Sequence, residues 1–294
     1  MSAFIEKARW SEKAPAKINL SLIVKGRRSD GYHELQSLVV FADCGEGLKA
    51  EPADALSLNV TGPFARALDN DHNNLVLEAV RYFDDYTGRT TKADFTLEKT
   101  LPVASGIGGG SADAAAAFRL LCRMHDHALP PHVLASLGLC VGADVPVCLE
   151  ARPAIMWGKG ELLQRRDGLP DFWLVLVNPG VAVSTASVFK ALDAPALVEK
   201  EEGPDVPQFG DVTALVEWLE RHGNDLEAPA RAIVPVIGDV ITALGATDGC
   251  LLARMSGSGA TCFGIYADEQ LAARAAAAIG GAHTDWWVMA AERL

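Results

Sequence analysis

The feature that most narrows what this chain can fold into is a dense run of glycines set between two regular elements. It reads Leu101-Pro102-Val103-Ala104-Ser105-Gly106-Ile107-Gly108-Gly109-Gly110-Ser111-Ala112. Four glycines in the five positions 106–110 leave Ile107 as the one residue there with a Cβ. The backbone can then take positive φ and wrap closely around a ligand. Ala93–Glu98, just before it, puts Ala93, Phe95 and Leu97 on one face and predicts a strand. Ser111–Met124, just after it, is alanine-rich and predicts a helix. Strand, glycine loop and helix N-terminus together make a cradle for phosphate, because converging N–H groups and the positive end of the helix dipole both favour an anion. The plainer reading is a flexible surface turn, but a turn does not need so many glycines directly before a strong helix.

The known phosphate loops do not fit. The chain has no G-x-x-x-x-G-K-[ST] segment. A dinucleotide fingerprint needs Gly where Ser111 stands. H-R-D and D-F-G, the protein-kinase signatures, are both missing.

Charge sets a second limit. Across 294 residues, 26 basic against 38 acidic side chains give a formal net charge of −12. Such a chain repels nucleic acid and anionic membrane, so neither is an expected partner. A phosphate ligand is repelled too, so positive potential must come locally from a few lysines, backbone N–H groups and a metal ion. The composition, 49% hydrophobic and 22% charged, is that of a globular protein with a real core. Its length suggests two domains, or one large one; as two, they are cut near residue 160 into 1–160 and 161–294. The six cysteines form no C-x-x-C pair, which predicts reduced thiols in a cytoplasmic protein. Met1 to Lys13 lacks the apolar region of a signal peptide, and no run of ~18 apolar residues predicts a membrane span.

Patterning supplies the rest of the frame. Strands are predicted at 16–24, 35–42 and 56–60, a helix at 74–86, and a buried strand at 172–178. Between 130 and 160 the pattern predicts a short helix, a turn at 142–146 and two strands. Residues 194–210, rich in Pro, Glu and Asp, predict an exposed loop. Helices follow at 212–221, 234–244 and 269–279. Strands at 250–255 and 261–266 flank a second small-residue loop, Ser256-Gly257-Ser258-Gly259-Ala260, and a last strand lies near Trp287.

The loop P-V-A-S-G-I-G-G-G-S-A-D resembles the second motif of the GHMP kinases. Ala14-Pro15-Ala16-Lys17-Ile18-Asn19-Leu20 resembles the family's first motif, and Arg254-Met255-Ser256-Gly257-Ser258-Gly259-Ala260-Thr261 its third. The three stand in the family's order. Three further segments resemble one branch of the family, whose acceptor carries cytidine diphosphate. They are Ser29-Asp30-Gly31-Tyr32-His33-Glu34-Leu35, Gly142-Ala143-Asp144-Val145-Pro146, and Asn178-Pro179-Gly180 followed by Ser184, Thr185 and Phe189.

The resemblance implies an α+β, two-domain fold. Its N-terminal domain would be of the ribosomal-S5-domain-2 kind, its C-terminal domain ferredoxin-like, and the active site would lie in the cleft between them. It implies ATP and Mg²⁺, and transfer of the γ-phosphoryl to the 2-hydroxyl of a methylerythritol linked to cytidine diphosphate. The ATP side would comprise Pro102 through Ala112, with Lys99 and Asn74. Asp144 would be the general base; its plain alternative is an Asx-type turn. Lys17, on the same strand face as Asn19, would stabilise the transferring phosphoryl; its plain alternative is a strand-edge lysine with its head in water. Tyr32 and Phe189 would sandwich the cytosine and His33 would hydrogen-bond its edge. Thr185, Asn19, Gly257, Ser258 and Gly259 would line the rest of the acceptor site. Ser111 would ligate Mg²⁺, cap the helix, or both. His125 and His127 read as the solvated end of the loop helix rather than as metal ligands. Two other readings stay open at this stage: a family member acting on homoserine or mevalonate, and a non-catalytic nucleotide sensor. Monomer and homodimer are equally compatible with the sequence.

Overall fold

A computed structural model describes residues 9–68, 74–198, 203 and 205–294. Five residues of the expected 194–210 loop lie outside the described residues, as does the start of the N-terminal segment. The chain divides into two compact units, and neither is a single stretch of sequence. The first takes the chain up to Ala16, then Gly45–Val103 and Gly108–Ala151. The second takes Lys17–Cys44, Ala104–Ile107 and Arg152–Leu294. The chain passes from one unit to the other several times.

The long strand β3 (His33–Pro52) belongs to both units. In the first, its Gly47–Pro52 stretch pairs antiparallel with β5 (Ala93–Glu98), and β4 (Ser57–Thr61) runs parallel to β5. Helix α1 (Leu75–Thr87) buries Val76, Ala79, Val80 and Phe83, the i, i+3, i+4, i+7 stripe that its sequence predicts. Asn74 caps it through Oδ1, which accepts the Val76 N–H at 2.9 Å, and Gly88 in left-handed conformation ends it. It packs on α2 (Gly109–Met124), whose alanines let two helices approach closely. Helices α3 (Pro131–Val141) and α4 (Val145–Glu150) complete this unit.

In the second unit, β1 (Trp10–Asn19) ends, the chain breaks at 20–22, and β2 (Ile23–Arg27) begins and pairs with β3. The single predicted strand at 16–24 is thus two strands. The break has a cause outside its own sequence. Buried Arg254 donates to the carbonyls of Leu20, His222 and Leu219 at 2.9, 3.1 and 2.8 Å, and Leu22 bridges Asn224. β3 also pairs with β6 (Ala154–Gly158), which turns into β7 (Leu162–Arg165).

A four-stranded antiparallel sheet follows, in the order β11 (Trp287–Glu292), β8 (Trp173–Asn178), β10 (Cys262–Tyr266), β9 (Leu252–Met255). α8 (Val236–Gly245) and α9 (Glu269–Ala282) pack on it, with Val175, Val177, Ile237, Val240, Leu244, Ala272, Ala275 and Ile279 in one core. α5 (Thr185–Leu192), α6 (Val212–Arg221) and α7 (Glu227–Ile233) fill the intervening chain. The sequence predicted α6 but neither α5 nor α7, which are only eight and seven residues long. None of the six cysteines is in a disulfide.

Candidate active site

In the first unit the glycine loop runs out of β5 into α2. The helix opens at Gly109, with Gly108 (φ 66°) in the N-cap position and no side chain capping it. The N–H groups of its first turn are therefore offered without a competing side-chain acceptor. Ser111 was expected to open or cap this helix; it does neither, lying two residues inside the first turn. Asn74 and Leu75 stand beside this end, since a Cβ on Gly110 would come within 3.3 Å of Leu75 Cδ1.

Behind the same turn is a buried ion cluster that the sequence did not reveal. Lys99 Nζ donates to Glu46 Oε2 at 2.6 Å and to Asp113 Oδ2 at 2.9 Å. All three residues are under 5% exposed. Two carboxylates share one ammonium, and Asp113 Oδ1 has no partner among the described residues. Burial, and then the charge of Asp113, push the Glu46 carboxyl well above its ordinary value, which favours its protonated form. Lys99 is held above its ordinary value in spite of burial, by Asp113 and Glu46. The lysine expected on the ATP side thus has its head committed inside the unit, braced against β3 and α2.

Asp144 occupies the residue before α4, in helical conformation (φ −87°, ψ −8°), and its side chain does not cap that helix. His125 stacks on Phe83 (ring centroids 5.6 Å) and its Nε2 lies 3.0 Å from Thr91 Oγ1, so it is a packed residue rather than a solvated end. Among the described residues no group of three His, Cys, Asp or Glu is arranged to hold a metal ion.

The second unit contains the middle of the glycine loop, Ala104–Ile107, and the third motif packs directly onto it. Ser256 Oγ donates to the Gly106 carbonyl at 3.0 Å and accepts the Asn19 N–H at 3.1 Å. Thr261 N–H donates to the Ser105 carbonyl, and Lys17 N–H to that of Ile107, both at 3.0 Å. The approach leaves no room for side chains: a Cβ on Gly106 would lie 2.5 Å from the Ser256 carbonyl, and one on Gly257 2.8 Å from that of Gly106. Lys17 and Asn19 are each 3% exposed, which sets aside the reading of Lys17 as a strand-edge lysine with a solvated head. Asn19 Nδ2 donates to Ser37 Oγ at 2.8 Å. Its Oδ1 is buried with no donor among the described residues, a costly state for an amide oxygen unless a ligand or water supplies one.

The aromatic residues expected around a base also lie in this unit. His33 and Phe189 are stacked, with ring centroids 4.7 Å apart and planes 24° from parallel. Tyr32 beside them is 58% exposed, a large ring left to solvent. Burial, and then the charge of Arg27, hold the His33 imidazole below its ordinary value, so it favours the neutral form. α5 brings Phe189 here, and from its first residue Thr185 Oγ1 bonds Ser258 Oγ at 2.8 Å. Ser184 caps α5 by accepting the Ser187 N–H.

Residues 74–152 match the model of the GHMP kinases N terminal domain, and residues 195–283 that of the GHMP kinases C terminal domain. Among curated proteins, the 4-diphosphocytidyl-2-C-methyl-D-erythritol kinase of Parvibaculum lavamentivorans is 54% identical over 95% of this chain and 96% of its own. The enzyme of that name from Paramagnetospirillum magneticum is 50% identical over 97% and 99%. A crystal structure of 4-(cytidine 5'-diphospho)-2C-methyl-D-erythritol kinase superimposes with a TM-score of 0.76 at 33% identity, covering 96% of this chain and 98% of that one. Homoserine kinase from Cytophaga hutchinsonii, at 17% identity and a TM-score of 0.69, shares the fold. With the glycine loop, the third motif packed on it and a relative more than half identical along nearly the whole chain, the protein belongs to the GHMP kinase family of small-molecule kinases.

Proposed function

We propose that this kinase transfers the γ-phosphoryl of ATP to the 2-hydroxyl of 4-diphosphocytidyl-2-C-methyl-D-erythritol, in the cytoplasm, on the non-mevalonate route to isoprenoid precursors. The observation that carries the acceptor assignment is the stacked His33–Phe189 pair beside exposed Tyr32. An acceptor without a nucleobase, such as homoserine or mevalonate, has no use for three such rings. The relatives, about half identical to this chain and bearing that enzyme's name, point the same way.

In this reading the backbone N–H groups of 106–111 hold the phosphates of ATP, the Ala112 N–H being taken by the Gly108 carbonyl at 2.8 Å, and the first turn of α2 adds its dipole. Asn74 lies toward ATP, while Lys99 acts from behind by fixing the loop's flanks. Phosphoryl transfer asks the protein chiefly for alignment and charge neutralisation. Lys17 supplies positive charge to the transferring group, and Asp144 orients the attacking hydroxyl and takes its proton. Among the described residues no group of three His, Cys, Asp or Glu could hold a metal by itself, so Mg²⁺ would come in with the phosphates, and the Ser111 hydroxyl would be its protein ligand. When bound it would neutralise charge on the phosphates.

On the acceptor side, Tyr32 and Phe189 stack on cytosine. Stacking tolerates any base, so selectivity rests with the neutral His33 ring, which offers one donor and one acceptor. Asn19 Oδ1, with no donor among the described residues, accepts from the acceptor molecule, and Thr185 with Gly257, Ser258 and Gly259 shapes the space around its diphosphate. An ADP-release assay comparing the diphosphocytidyl acceptor with homoserine and mevalonate tests the reading. Turnover confined to the first is the expected result; turnover of either of the others in its place would overturn the reading.

A further inference from the structure

Lys159 lies in none of the segments that carry the family resemblance, yet its side chain reaches one of them. It stands at the tip of the β6–β7 hairpin between two glycines of positive φ, Gly158 (73°) and Gly160 (111°). The tip is tightly closed. Glu161 accepts the Lys159 backbone N–H at 2.5 Å, and Gly160 N–H donates to the Trp157 carbonyl at 3.2 Å. Gly158 is required by its left-handed backbone, φ 73°, which L side chains rarely adopt. From this rigid tip the ammonium sits over the Tyr32 ring, 4.7 Å from its centroid.

The other half of the contact is equally anchored at its backbone. Tyr32 N–H donates to Asp30 Oδ1 at 3.1 Å, and its carbonyl accepts the Arg28 N–H at 2.8 Å. Its side chain is different: a ring 58% exposed has little packing to fix its two torsions. A cation over one face supplies that restraint, because the negative face of the ring quadrupole attracts it. A ring fixed before binding loses less entropy when a ligand stacks on it. We propose that Lys159 is a specificity-determining residue for the nucleobase-bearing acceptor: it backs one face of Tyr32 so that the opposite face is held ready as a platform for the base. This rests on the acceptor proposed above.

The test is steady-state kinetics with the diphosphocytidyl acceptor on the parent, K159M, K159R, Y32L and K159M/Y32L. Methionine keeps the apolar stem and removes the charge. K159M should raise the acceptor KM about two- to fivefold, the range of an exposed cation–π contact, with kcat and the KM for ATP unchanged. K159R should behave as the parent, and K159M should add nothing in the Y32L background. Three results would overturn the inference. One is an unchanged acceptor KM in K159M. Another is a lowered KM, as for an ammonium standing where the base belongs. The third is the same rise with Tyr32 already gone, as for a lysine acting on the diphosphate. A parent that does not phosphorylate this acceptor would remove the functional reading and this inference together; a parent that does, with K159M unaltered, removes this inference alone.

Discussion

Ser256 and Gly106, 150 residues apart in sequence, are joined by a 3.0 Å hydrogen bond from the serine hydroxyl to the glycine carbonyl, with their backbones in contact. The two small-residue loops therefore explain each other. Glycine at 106 is required twice over, by φ of 76° and by the Ser256 carbonyl 2.5 Å from where a Cβ would stand. G106A should lower unfolding free energy by at least ~1–2 kcal/mol from the left-handed backbone, with a further penalty from the clash. S256A, which strands the Asn19 N–H and the Gly106 carbonyl, should cost about 1–3 kcal/mol. Urea unfolding of the two variants checks both; equal stability of G106A and the parent would contradict the packing.

The Lys99 cluster makes a second prediction, about charge. K99M would leave Glu46 and Asp113 facing each other, buried and without a cation, and should cost about 3–5 kcal/mol. E46Q should be far milder, because glutamine mimics the protonated carboxyl and still offers Lys99 an oxygen. The Glu46 carboxyl is raised in the folded protein, first by burial and then by Asp113. Its contribution is therefore full below the unfolded value and lost as pH rises through the folded one. The parent's melting temperature should fall with rising pH more steeply than that of E46Q, as differential scanning calorimetry across pH would show.

How far the sequence was legible follows from which interactions are local. β5 and α6 were bounded to the residue, and α1 to within one, because periodicity and caps such as Asn74 are written in neighbouring positions. The break at 20–22 was not legible, because Arg254 imposes it from 232 or more residues away. The Glu46–Lys99–Asp113 cluster was missed for the same reason. Its trace is a charged residue at a buried position in β3 and in α2, and a lysine just past the end of β5. Ser111 was misread because α2 begins two residues earlier, on Gly109, with Gly108 in left-handed conformation at its N-cap. Lys17, Asn19, Tyr32, His33 and Phe189 were picked out through resemblance, whereas Lys159 meets the Tyr32 ring only in three dimensions.

His33 gives a pH prediction. Its imidazole is held below its ordinary value, chiefly by burial and then by Arg27, so it favours the neutral form at neutral pH. If the neutral ring reads the base edge, the acceptor KM should be flat at and above pH 7. It should rise as pH falls through the lowered folded value, where protonation turns the acceptor nitrogen into a second donor. H33A should raise the KM at pH 7 and abolish the acid limb, leaving the KM for ATP unchanged. An acid limb that persists in H33A would assign it to another group.

A change at Asp144 should separate binding from chemistry. It stands at the head of α4 without capping it, so its carboxylate can be altered at small cost to the helix. Asparagine keeps its size and its ability to accept a hydrogen bond but cannot take the hydroxyl proton. D144N should bind ATP as the parent does and lose about 10²–10⁴ in kcat, the range for removing a positioned general base. Equilibrium binding of ATP alongside single-turnover phosphorylation would measure both. A D144N protein with undiminished single-turnover rate would mean that the hydroxyl loses its proton without help from this residue, and that alignment by Lys17 and the glycine loop is sufficient for the reaction.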